Sequence, residues 1–112
     1  MTETEFNQLT EETFRTIETA LENADGDVDF ELAAGNVLEI DCGAGGKIIV
    51  NRQAAMHEMW IAAKSGGFHY QWIENAWRNS RDGSELFASL ANMIAEQGGG
   101  SVEFNHNRTT DD

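Results

Sequence analysis

The stretch Phe14-Arg15-Thr16-Ile17-Glu18-Thr19-Ala20-Leu21-Glu22-Asn23-Ala24-Asp25-Gly26-Asp27-Val28-Asp29-Phe30-Glu31-Leu32 changes its hydrophobic period in the middle. Up to Ala24 the apolar positions Phe6, Leu9, Thr13, Phe14, Ile17, Ala20, Leu21 and Ala24 recur at threes and fours, the period of an amphipathic helix. At about 100° per residue they fall within an arc of roughly 140°, while Glu11, Glu18 and Glu22 share a stripe about 40° wide on another face. The spacing predicts a helix over about residues 2–24, with Thr2 and Glu5 placed for a capping box. After the turn at Asp25-Gly26 the period drops to two. Val28, Phe30 and Leu32 alternate with Asp27, Asp29 and Glu31, so these three acids share one face of a strand.

Downstream, Gly35-Asn36, Gly43-Ala44-Gly45-Gly46, Ser65-Gly66-Gly67 and Glu74-Asn75 punctuate apolar runs at hairpin spacing. They predict strands over residues 37–42, 47–52, 57–63, 68–73 and 77–79, and no helical stretch separates one from the next. Such a sheet is antiparallel. A second helix is expected over about residues 83–97, with Asp82 as its N-cap, Glu85 reaching back to it, and Leu86, Phe87, Leu90, Met93 and Ile94 as its apolar stripe. Gly98-Gly99-Gly100 ends it, and residues 98–112 form a polar tail. The expected fold is a single α+β domain over residues 1–112, with two helices on one face of an antiparallel sheet of five or six strands, its strands lying between about residues 27 and 79.

The other sheet face is left to solvent. Glu58 marks its own parity as outward, so Trp60 should point out, with Asn51 and Gln53 beside it, Arg52 nearby, and His57 close to the same patch.

Charge narrows the function further. Twenty acids against seven bases give −13 over 112 residues, and ten of those acids fall in the first 31 residues against Arg15 alone. Such a chain disfavours nucleic acid and anionic membranes as partners and attracts cations. No apolar run is long enough to span a bilayer, and the acidic start is unlike a basic leader, so a cytoplasmic protein is expected. Cys42 is the only cysteine, which excludes an intramolecular disulfide and a multi-cysteine metal site; it reads as a small buried residue. Gly43-Ala44-Gly45-Gly46-Lys47 lacks the Ser or Thr of a phosphate loop, Ile48 standing there, and reads as a turn. No nucleophile has a base spaced to serve it, so catalysis is not expected.

The remaining chemistry is that of carboxylates. Hard cations take oxygen ligands, and acids at i and i+4 of a helix or i and i+2 of a strand can reach one ion. Glu18 and Glu22 satisfy the first spacing, and Asp25, Asp27, Asp29 and Glu31 the second in part. With no His or Cys among them, such a site is shallow, wet and weakly selective. The same acids could instead form a metal-independent module that docks on a basic partner, or a face kept for solubility. His69 reads as a surface residue, and neither His57 nor His106 has an acid spaced to complete a metal site.

Four stretches together resemble the frataxin family in its bacterial form: Leu21-Glu22-Asn23-Ala24-Asp25-Gly26-Asp27-Val28-Asp29, Gly46-Lys47-Ile48-Ile49-Val50-Asn51-Arg52-Gln53, His57-Glu58-Met59-Trp60-Ile61-Ala62 and Ser65-Gly66-Gly67-Phe68-His69-Tyr70. The likeness runs from about residue 5 to about residue 97. Its most specific part is Asn51-Arg52-Gln53 followed by Trp60 and then the Gly-Gly-aromatic-His-aromatic string.

The resemblance implies an acidic ridge on the first helix and strand, iron held weakly by Glu18, Glu22, Asp25, Asp27, Asp29 and Glu31, and a role in iron–sulfur cluster assembly. It also implies contact with the cysteine desulfurase, and with the cluster scaffold, through Glu11, Glu18, Glu22, Asn51, Arg52, Gln53 and Trp60. A monomer is expected without metal. The sequence departs from the family pattern at Thr19 and at Ala33-Ala34, where acids are common, at Ala54-Ala55, where a proline is usual, and at Glu58, where glutamine is usual. The ridge is thinned by about two carboxylates.

Overall fold

Thr2 opens the first helix as its spacing predicts. Its Oγ1 accepts from the Glu5 N–H at 3.1 Å, and Glu5 Oε1 accepts from the Thr2 N–H at 2.8 Å, so two of the free donors at the helix start are satisfied reciprocally. The computed structural model describes residues 1–24, 28–33 and 37–104. Its elements follow the order α1 (Glu3–Glu22), β1 (Asp29–Ala33), β2 (Val37–Asp41), β3 (Lys47–Gln53), β4 (Glu58–Ala63), β5 (Gly66–Ile73), β6 (Ala76–Asn79) and α2 (Leu86–Glu96). The predicted turns at Asp25-Gly26 and Gly35-Asn36 lie outside the described residues.

The six strands form one antiparallel sheet in the order β1-β2-β3-β4-β5-β6, each paired with its neighbours in the chain. Registers such as Ile40↔Ile48, Val50↔Ile61 and Met59↔Tyr70 align the alternating apolar residues on one face. There Leu38, Ile40, Ile48, Val50, Met59, Ile61, Tyr70 and Trp77 are buried against Phe6, Phe14, Ile17 and Leu21 of α1 and Leu86, Leu90 and Ile94 of α2. Trp77 joins the layers: its Nε1–H donates to Thr13 Oγ1 at 2.9 Å, and its ring meets Phe6 edge-on at 6.2 Å.

Element starts differ from expectation. Strand β5 opens at Gly66 instead of residue 68, because Gly66 and Gly67 pair with Ala63 and Ala62 and do not form the turn. Those of β4 and α2 shift for local reasons. His57 does not begin β4. The three-residue 3-10 turn Ala54–Met56, whose Ala55 N–H is capped by the Gln53 side chain at 3.3 Å, leaves His57 in a left-handed conformation with φ 54°. Helix α2 starts at Leu86, and its N-cap is Glu85 instead of Asp82. Glu85 is drawn into extended backbone by a bridge to Arg78, and its carboxylate accepts from Phe87 N at 3.0 Å and Ala88 N at 3.1 Å. Asp82 instead caps the turn before it, accepting from Ser84 N at 2.9 Å. The first part of the tail packs: Val102 is buried and the Phe104 ring lies 5.4 Å from that of Phe87.

Gln97, just past α2, is buried because it holds two turns at once. Its Oε1 accepts from Lys64 N at 2.9 Å, and its Nε2–H donates to Gly45 O at 3.1 Å. Gly45 is required there, since a Cβ would collide with the Gln97 carbonyl.

Two buried acidic protons make the core sensitive to base. Burial pushes the Tyr70 hydroxyl above its ordinary 10.0. Burial, with Asp41 adding to it, pushes the Cys42 thiol above its ordinary 9.0. The unfolded chain releases these protons at the ordinary values and the folded chain retains them. Their contribution is therefore complete below pH 9 and declines as pH rises from there. Urea midpoints measured between pH 7 and 11 should be level to about pH 9 and then fall, and Tyr70→Phe should flatten the decline above pH 10. A decline of unchanged slope in Tyr70→Phe assigns it to other groups.

Candidate functional site

The helical period sets the two flanks of α1 apart. Leu9, Glu12, Thr13 and Thr16 line a recess with Trp72 and Trp77 at the β5–β6 end of the sheet. Glu11, Glu18 and Glu22 occupy the opposite flank, on the far side of the buried arc formed by Phe6, Thr10, Thr13, Phe14, Ile17 and Leu21. Glu11 and Glu22 are exposed and Glu18 is half-buried, and none of the three makes a hydrogen bond or ion pair among the described residues.

Strand β1 carries Asp29 and Glu31 at the sheet edge, both exposed and opposite in parity to Phe30. Their partners are Asp41 and Glu39, so the register assembles four carboxylates on the outer face of β1 and β2. Glu39 and Asp41 were not singled out from the sequence, although they alternate with Leu38 and Ile40 as legibly as the β1 acids do with their neighbours. Both are already engaged: Glu39 pairs with Lys47 at 3.4 Å, and Asp41 accepts from Gly43 N at 2.8 Å.

The helix acids and the strand acids do not converge. Among the described residues no three of His, Cys, Asp and Glu stand close enough together to hold a metal ion. Asp25 and Asp27, which bridge the two groups in the sequence, lie outside the described residues. What the described acids offer is a field of negative charge running from the α1 flank to the open edge of β1, suited to loosely held cations or to a basic surface.

The second candidate surface is the outer face of the central strands. Asn51 stands opposite Trp60 and Gln53 opposite Glu58, so the expected patch is assembled and Trp60 points away from the helices. Glu58 is on that face as well, but it is not the exposed acid its parity suggested. It is 5% exposed, because its neighbours close over it. Its Oε1 accepts from Trp60 Nε1 at 2.8 Å, its Oε2 accepts from Gln71 Nε2 at 3.1 Å, and His69 Nδ1 lies 4.0 Å from Oε1. The His69 ring stacks on the indole at 4.2 Å and 8°. Trp60 is thus held at its edge by Glu58 and on one side by His69. An anchor fixed in this way loses little rotamer freedom when a partner docks.

Two residues expected near that patch are elsewhere. Arg52 stands opposite Met59 on the helix side of the sheet, where its Nη1 donates to Asn7 Oδ1 at 2.7 Å and lies 3.4 Å from Thr10 Oγ1. Its guanidinium sits 5.9 Å from the centre of the Phe6 ring, so it ties β3 to α1. His57 likewise faces inward, its ring 5.0 Å from that of Phe6. His106 lies outside the described residues.

Comparison with known proteins matches a frataxin-like domain model to residues 1–100. An iron–sulfur cluster assembly protein CyaY from Janthinobacterium sp. (strain Marseille) is 53% identical over 103 residues, which are 88% of this chain and 92% of that relative. The solved frataxin of Psychromonas ingrahamii, of the CyaY family, superposes with a TM-score of 0.85 at 31% identity, covering 94% of this chain and 99% of the other. Trimeric frataxin from the yeast Saccharomyces cerevisiae, solved in complex with ferrous iron, shares the fold at a TM-score of 0.67 and 21% identity, covering 86% of this chain and 87% of that one.

Proposed function

The chain belongs to the frataxin-like family, and from that premise we propose that it is a cytoplasmic iron-binding protein serving iron–sulfur cluster assembly by docking on the cysteine desulfurase machinery. It is a binding and regulatory protein, not an enzyme. The observation that carries this reading is the glutamate stripe Glu11, Glu18 and Glu22, unpaired among the described residues, beside an open strand edge bearing Asp29 and Glu31. The relatives' names, and the ferrous complex of the yeast protein, support iron and cluster assembly as its context.

Iron is cargo here, held by Glu18, Glu22, Asp25, Asp27, Asp29 and Glu31 without a closed coordination cage. Glu11, Glu18 and Glu22 also face the basic surface of the desulfurase, so metal and enzyme compete for one charge field. Asn51, Gln53 and Trp60 form a second contact surface for the cluster scaffold, while Arg52 acts by holding β3 to α1. The alternative is a metal-independent acidic module, supported by the same glutamate stripe, which can face a basic partner without a cation.

An anaerobic NMR titration separates the two readings. Ferrous iron should broaden the amides of Glu18, Glu22, Asp25, Asp27 and Asp29 before any others, and adding desulfurase should displace it from the same residues. Broadening centred on His57, His69 or His106 refutes the carboxylate site. Desulfurase binding with no response to iron establishes the metal-independent module.

A further inference from the structure

On the flank of α1 away from the glutamate stripe, the helix and the β5–β6 end of the sheet enclose a groove of about 520 Å³, which runs into a recess of about 160 Å³. Leu9, Glu12, Trp72 and Asn75 line both parts. Trp72 is half-buried and meets Trp77 edge-to-face at 5.2 Å and 69°, which fixes its ring. Of the three indoles, Trp60 donates to Glu58 and Trp77 to Thr13, whereas the Trp72 N–H has no acceptor among the described residues. Beside it Glu12 is exposed and makes no hydrogen bond or ion pair among the described residues.

The other acids along the groove are committed. Glu5 closes the α1 capping box close to the α-ammonium of the chain, and Glu85 caps α2. Among the described residues no lysine or arginine lines either part. The groove therefore offers one free carboxylate, one free indole donor and one aromatic surface, next to the aliphatic side chain of Leu9.

We propose that this groove is a docking site for an arginine-bearing segment of a partner protein. A guanidinium stacks on an indole face and pairs with a carboxylate in the same plane, and its methylenes suit an aliphatic wall. The indole N–H then donates to a backbone carbonyl of the segment, a match that a free metal ion or a purely apolar ligand cannot make. Arginine suits the site better than lysine, whose compact ammonium holds its water more strongly and cannot stack. The site stands apart from the iron reading, because Glu11, Glu18 and Glu22 lie on the opposite flank and both surfaces can be occupied together.

The test is a titration of ¹⁵N-labelled full-length chain with acetyl-arginine N-methylamide and, separately, with its uncharged citrulline counterpart, read at the three indole N–H resonances. The arginine probe should shift Trp72 saturably with a Kd on the order of 1–10 mM, and citrulline should bind at least about fivefold more weakly. Glu12→Gln, at an exposed position, should weaken the arginine probe about fivefold, to the level of citrulline. Trp72→Leu, followed at the backbone amides of Leu9 and Glu12, should abolish binding, and if that variant loses its fold, Glu12→Gln decides the matter alone.

Equal binding of the two probes overturns the proposal, as does a response that appears first at Trp60 or at the amides of Glu11, Glu18 and Glu22. No Trp72 shift up to roughly 50 mM has the same effect. An Arg108→Ala variant whose Trp72 resonance moves without any probe assigns the groove to the chain's own C-terminal residues and refutes a partner.

Discussion

Replacing Glu18 and Glu22 together by lysine should weaken association with the desulfurase about 100-fold at low salt, close to 3 kcal/mol. The change converts two acids at i and i+4 into two bases, so attraction across the interface becomes repulsion. Neither side chain has a partner among the described residues, so the fold should be unaffected. Calorimetric titration between 50 and 300 mM salt checks both parts of the claim. Wild-type affinity should fall steeply with salt, and the variant's should be weak and nearly level. An affinity unchanged by the double substitution removes the α1 flank from the interface.

Trp77→Ala should cost about 3–5 kcal/mol, a large part of the stability of a domain this size. The ring is fully buried, touches Phe6 and Trp72, and supplies the bond to Thr13 that ties the sheet edge to α1. Trp60→Ala should behave differently. It removes a half-exposed ring from the outer face and leaves Glu58 Oε1 without its indole donor, a cost of about 1–2 kcal/mol. Its main effect should be faster dissociation from the partner bound at that face, with the salt dependence intact. Urea denaturation and dissociation rates on the two variants separate a folding tryptophan from a docking one. A Trp60→Ala chain that unfolds as readily as Trp77→Ala makes Trp60 an ordinary packing residue.

Periodicity made the sheet and its faces legible. A period of two in five runs, broken by glycine and asparagine turns, is enough to order an antiparallel sheet, and the alternation Met59-Trp60-Ile61 sends Trp60 outward without any knowledge of register. Burial on the outer face was not legible. That Glu58 is covered depends on which β5 residues stand opposite it, and the pairings Glu58↔Gln71 and Trp60↔His69 are settled by the β4–β5 turn, not by composition. Arg52 is the converse case: its parity points inward, and only its charge argues for the surface. A guanidinium over Phe6 with an amide acceptor on α1 resolves that conflict, but both partners lie more than forty residues away in sequence. The shift of the α2 start from Asp82 to Glu85 has the same origin, since the bridge to Arg78 is a tertiary event.

Because every strand pairs with its chain neighbours, the sheet can grow one hairpin at a time as the chain leaves the ribosome, with short loops to close at each step. The first helix is the exception. It is synthesised first, yet the side chains that fasten it across the layer come late: Arg52 lies 45 positions beyond Asn7 and Trp77 lies 64 beyond Thr13. Until β6 has been made, α1 carries Phe6, Phe14, Ile17 and Leu21 with an incomplete surface to cover them. The acids on its flank then serve a nascent chain as much as a finished one, since their mutual repulsion keeps neighbouring chains apart while that apolar stripe waits to be buried.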